Sequence, residues 1–142
     1  MLLLISSCEY KPIFNEAESK FSITKIDSLT KDQIFFRIKN SLKSNLNNDN
    51  FNKFELFLTS DRIKTVTSKD KKGNEKTFNL KIFVKVNIKS RNESFEKFFE
   101  ENFSYQNNSN KFDLKQYENK LNNDLIDKIV KDLNLYLVEI TK

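Results

Sequence analysis

The chain has 142 residues, with 25 lysines and arginines against 20 acids, a net charge of +5. It holds no histidine, one cysteine and one glycine. That composition argues against zinc, haem and redox-dithiol sites, and it excludes a Ser-His-Asp or Cys-His catalytic set and a glycine-rich phosphate loop.

A chain of this length forms one domain that buries about two thirds of its unfolded surface. Its N-terminus carries the most specific pattern. Leu3-Leu4-Ile5 is followed by the small pair Ser6-Ser7 and then by the sole cysteine, Cys8. This is the layout of a bacterial lipoprotein signal: small side chains precede the cut, and the Cys8 thiol is the nucleophile that takes a diacylglycerol. On this reading residues 1–7 are removed, Cys8 becomes the lipidated first residue, and the rest lies outside the cytoplasm. The alternative is an ordinary apolar N-terminus with a stray cysteine that has no disulfide partner. A secretory signal normally has a basic start and about 7–15 apolar residues, so the expected true start lies upstream of Met1. No later segment approaches the roughly 18 apolar residues of a membrane span. Several acyl chains on one cysteine hold firmly, so attachment to a membrane by a lipid anchor is expected.

The positive charge favours anionic partners such as lipid head groups and phosphates. Nucleic acid is not expected as a partner of an exported protein. An AT-rich genome also accounts for the lysine and asparagine content, as in the runs Asn45–Asn52 and Gln106–Asn110.

Residues 8–20 read as a lipidated tether, where Pro12 keeps Lys11 extended. Phe21–Ile26, short and β-branched, reads as a first strand. Thr30 and Gln33 have capping-box spacing, and Ile34, Ile38, Leu42 and Leu46, with Phe35, give one apolar helical face. The asparagine-rich run ends that helix. Phe54–Thr67 reads as a long strand whose apolar phase shifts between Leu58 and Ile63, which predicts a bulge near Thr59–Asp61. Lys69–Asn74 is a turn with Gly73 available for positive φ. From Phe78 to Ile88 apolar residues alternate with Asn79, Lys81, Phe83, Lys85 and Asn87, so one strand face is buried and a lysine face is wet or meets an anion. Ser94–Tyr105 fits both periods; its aromatic content and short connection to the preceding strand favour a strand. A long helix is predicted from Asp113 to Leu137, with Tyr117, Leu121, Leu125, Ile129 and Leu133 on one face.

The order β-α-β-β-β-α predicts an α+β fold over residues 21–142. Two helices pack in two layers on a four-stranded, largely antiparallel or mixed sheet. The acids Glu100, Glu101, Asp124, Asp127 and Asp132 fall on exposed phases and read as a solvated surface, so no enzyme, cofactor or metal is expected. Arg62, Lys64, Lys69, Lys71 and Lys72 border one hairpin. They are candidate phosphate contacts, with lysine as a point charge and arginine as a bidentate donor; the alternative is a solvated hairpin that keeps a sheet edge soluble.

Cys8 followed by Glu9-Tyr10-Lys11-Pro12-Ile13-Phe14 resembles the mature start of the LPS-assembly lipoprotein family LptE, which usually reads Cys-Gly-Tyr/Phe-x-Pro-Leu. Phe103-Ser104-Tyr105, Asn107-Asn108, Phe112 and a helix closing with Leu133-Asn134-Leu135-Tyr136-Leu137 are similar to the last strand and helix of α-proteobacterial members. Thr77–Ile88 takes the place of a matching strand. The resemblance covers nearly the whole mature chain, by pattern and order more than by rare residues. It implies two helices on a four-stranded sheet, anchorage in the inner leaflet of the outer membrane, and a non-enzymatic role. That role is to plug the β-barrel protein LptD, assist its assembly and touch lipopolysaccharide during export to the cell surface. The five basic residues then become candidates for lipopolysaccharide phosphates, and Phe57 and Phe83, on the opposite phases of their strands, for contact with a barrel wall. Glu9 departs from the family's glycine; an acid there can retain a lipoprotein at the inner membrane. The rival reading is a free-standing periplasmic lipoprotein that binds a small or lipidic ligand as an auxiliary part of a transporter.

Overall fold

The computed structural model describes residues 20–142. Cys8, the signal and nearly all of the tether lie outside the described residues. The elements are β1 (Ser22–Ser28), α1 (Gln33–Ser41), a 3₁₀ turn (Lys43–Asn45), β2 (Lys53–Lys69), β3 (Glu75–Lys89), β4 (Ser94–Gln106) and α2 (Lys111–Glu139). The sheet runs β1-β2-β3-β4. β1 is parallel to β2, because α1 carries the chain back between them, and the two hairpins that follow are antiparallel. The fold is the expected two-layer α+β arrangement on a mixed sheet.

The start of α1 differs from expectation in its cap. Asp32, not the Thr30–Gln33 pair, is the N-cap: one carboxylate oxygen accepts the Phe35 backbone N–H at 2.9 Å. The other accepts from the Ser60 hydroxyl at 3.1 Å, so a single side chain satisfies the helix end and ties it to β2. The helix also ends sooner. Leu42 is buried at the C-cap, while Leu46 leaves the helix and bridges Ile23 of β1. Asn47 follows at φ 52°, a left-handed conformation that asparagine tolerates.

The bulge expected near Thr59–Asp61 is absent. Pairing of β2 with β3 is unbroken from Glu55↔Lys89 to Val66↔Phe78, and the irregularity falls between Val66 and Lys69. The phase set by Phe54, Leu56 and Leu58 simply continues as Ser60, Arg62 and Lys64, which leaves Ile63 on the opposite face. The physical reason is the length of β1. It ends at the Ser28↔Leu58 pair, so β2 beyond that point is the rim of the sheet. There a long cationic side chain covers apolar surface with its stem and keeps its head wet.

Both helices cover one face of the sheet. Six consecutive residues of β3 on that face, Phe78, Leu80, Ile82, Val84, Val86 and Ile88, are buried. They meet Leu125, Ile126, Ile129 and Leu133 of α2 in the same core, while Ile34, Phe35 and Ile38 of α1 pack over β1 and β2. The ambiguous Ser94–Tyr105 segment is a strand. It pairs with β3 without interruption from Lys89↔Ser94 to Thr77↔Gln106 and buries Phe99 and Tyr105. α2 begins two residues earlier than predicted, because Asn110 caps it by accepting from the Phe112 and Asp113 N–H groups. Among the described residues no helix is long and apolar enough to cross a membrane.

Candidate functional site

The five basic residues of the β2–β3 hairpin separate into two groups. Arg62 and Lys64 point toward α2. The Arg62 Nε donates to Asn122 Oδ1 at 3.1 Å. The Lys64 ammonium lies 2.5 Å from Glu118 Oε1 and 4.1 Å from the Phe78 ring centroid. Tyr105 OH donates to the same Glu118 oxygen at 2.7 Å. Burial alone would raise the Glu118 pKa, but hydrogen bonds from Lys64 and Tyr105 and the charges of Lys64 and Arg62 outweigh it, so the carboxyl is held below its ordinary range. Burial, followed by the hydrogen bond to Glu118, pushes the Tyr105 phenol up. These groups join β2, β4 and α2 above the end of the core. They fasten the hairpin to the domain.

Lys69, Lys71 and Lys72 are at the hairpin tip, where all three are exposed and make no ion pair among the described residues. The tip itself is well defined. One Asp70 carboxylate oxygen accepts the Lys72 and Asn74 backbone N–H groups, and the other accepts the Asn74 side-chain amide. Those bonds, with the Asn74 side chain the strongest, hold the Asp70 carboxyl below its usual range. Gly73 takes φ 85°, which the turn requires and L residues rarely adopt. A rigid loop thus presents the lysines beyond the end of β1.

The helix-free face of the sheet carries both predicted aromatics. Phe57 is 37 % exposed, and Phe83 stacks on Phe98 with centroids 5.8 Å apart. Phe98 and Ile63 belong to the same face at 51 % and 44 % exposure, and sequence reasoning had not assigned either to it as a surface residue. The available signal for Phe98 was its phase opposite to Phe95 and Phe99. Two lysines of β3 do not await an outside anion: Lys81 pairs with Glu100 and Lys85 with Glu96, each at 2.8 Å. Around Phe83 and Phe98 the face therefore carries an apolar patch flanked by two internal ion pairs.

Other acids are likewise engaged. Asp127 accepts two hydrogen bonds from Arg37, joining α1 to α2, and Glu101 lies 3.8 Å from Lys128. No group of three or more histidines, cysteines or acids among the described residues could hold a metal. The depressions are open grooves; one of about 680 Å³ lies between the end of β4 and the start of α2, beside Phe103, Tyr105 and Tyr117.

No protein-family model matches the sequence, and no curated protein matches it. Solved structures do. The rare lipoprotein B of Shewanella oneidensis superposes with a TM-score of 0.63 at 13 % identity, over 85 % of this chain and 99 % of that one. A minor lipoprotein of Acinetobacter baumannii gives 0.62 at 16 % identity, over 84 % and 94 %. An uncharacterized lipoprotein B of Nitrosomonas europaea gives 0.57 at 13 % identity, over 80 % of each chain. The fold is shared with bacterial lipoproteins. At these identities the likeness fixes the arrangement of the chain and nothing finer.

Proposed function

We propose that this protein is a lipid-anchored outer-membrane lipoprotein that plugs a barrel of the LptD type, assists its assembly and so serves lipopolysaccharide transport to the cell surface. One observation carries the reading. A domain that superposes on lipoproteins over nearly their whole length also has its only cysteine behind an apolar run and two serines, where lipid attachment requires it. The mechanism is steric and interfacial. The domain fills the barrel lumen, and the helix-free face, with Phe57, Phe83, Phe98 and Ile63, meets the barrel wall. Open, shallow grooves beside a filled core favour a plug over a carrier that encloses its ligand.

Lys69, Lys71 and Lys72 at the tip are the proposed contacts to lipopolysaccharide phosphates; Arg62 and Lys64 serve to aim the hairpin. Changing the three tip lysines to glutamine is expected to weaken lipopolysaccharide binding about tenfold with no loss of thermal stability, since exposed charges add little to folding. Unchanged binding by titration would remove the tip from the account. Affinity purification of the native protein from detergent-solubilised membranes tests the wider reading. A large β-barrel should come with it in stoichiometric amount; recovery of the protein alone, as a monomer, contradicts the plug.

A further inference from the structure

β4 is an outer strand: among the described residues its sole neighbour in the sheet is β3. It is 13 residues long and presents a free main-chain edge that is a template for pairing. Proteins usually keep such edges single with inward-pointing charge. Here the inward charges alternate in sign. Toward the helix layer β4 presents Phe95, Lys97, Phe99, Glu101 and Phe103, a series that reads backward as itself with lysine and glutamate exchanged.

We infer that the β4 edge pairs with the β4 edge of a second copy of this chain, antiparallel and centred on Phe99. In that register Lys97 is opposite Glu101 of the second copy, Phe95 is opposite Phe103, and two-fold symmetry supplies each pair twice. Glu101, 3.8 Å from Lys128 of its own chain, then lies between two lysines. Centring on Lys97 or on Glu101 sets like charges face to face, and centring on Phe98 or Glu100 sets each charge opposite a phenylalanine. On the other face of the strand Glu96 and Glu100 are already neutralised by Lys85 and Lys81, so they add no repulsion.

The edge also has room for the incoming side chains. A depression of about 330 Å³ lies between Phe103 and α2, floored by Leu121 and Leu125. It receives Phe95 of the second copy and covers Phe103, now 45 % exposed. A second depression of about 270 Å³ lies beside Lys97 and Phe99, bounded on α2 by Asp132, Leu135, Tyr136 and Glu139. Glu101 of the second copy meets Lys97 at its rim, away from the two acids. The result is one continuous sheet with both helix layers on the same side, joined by strand addition.

Sedimentation equilibrium on the full chain carrying Cys8→Ser tests this without acyl chains or a free thiol. A dimer is expected. Lys97→Glu and Glu101→Lys should each weaken it about tenfold or more, because every reversal places two like-charge pairs across the edge. The double exchange should restore the original affinity, with circular dichroism showing each variant folded. A chain that stays monomeric at roughly 0.1 mM, reversals without effect, or a double exchange that fails to restore association would overturn the inference. The assay involves neither lipid attachment nor a barrel, so its failure leaves the proposed function standing.

Discussion

Ile129→Ala is expected to lower the unfolding free energy by about 3–4 kcal/mol, the cost of a deleted buried branch plus the cavity it leaves. Ile129 has no exposed surface and belongs to the same core as the β3 face of Leu80, Ile82 and Val84. A cavity there cannot be filled by local collapse, because the opposing strand is central and paired on both sides from end to end. The loss should appear in urea unfolding as a lower midpoint with an unchanged slope. Leu135→Ala, on the exposed side of the same helix, should move stability by no more than about 0.5 kcal/mol. Equal effects at the two positions would mean that α2 packs on the sheet through a different face.

The second large effect is at Glu118. Its carboxylate accepts from Lys64 and from Tyr105, so Glu118→Gln is expected to cost about 2 kcal/mol at neutral pH, the usual size for hydrogen bonds to a charged group. The pH dependence has a definite sign. The folded state holds this carboxyl below its ordinary value, so its contribution is complete above the unfolded pKa of about 4.3 and fades as pH falls through the lower folded value. The stability gap between wild type and Glu118→Gln should therefore be widest above about pH 5 and close in more acidic solution. A gap that widens on acidification would show that Glu118 is neutral in the fold. Because Glu118 also fixes Lys64, the variant should loosen the hairpin that carries the tip lysines.

Most of the fold was legible because the apolar periods are clean. Ile82, Val84, Val86 and Ile88 alternate without a break, and Leu121, Leu125, Ile129 and Leu133 recur every fourth residue, so the central strand and long helix could be assigned without structure. Some features were not legible, three of them for a tertiary reason. The phase change in β2 looked like a bulge, because sequence does not reveal that β1 stops at Ser28 and turns the rest of β2 into a rim. Asp32 outranked Thr30 as a cap because Ser60, 28 residues away, supports the same carboxylate. The division of the basic cluster depended on where α2 crosses the hairpin, which placed Glu118 and Asn122 under Lys64 and Arg62 but, among the described residues, no acid under Lys71 or Lys72. The self-complementary pattern of β4 was present in the sequence throughout. It acquired meaning only when β4 proved to be an edge strand with Lys97 and Glu101 on one face.

The proposed lipid anchor would tie these surfaces to a place in the envelope, and the mass of the native N-terminal peptide tests it most directly. Protein purified from membranes and digested should yield a first peptide that begins at Cys8 and carries diacylglycerol, with or without a further acyl chain, and no peptide containing residues 1–7. An unmodified Cys8 still joined to Ser6-Ser7 in the cellular protein would contradict the account, leaving the two-layer domain without its membrane.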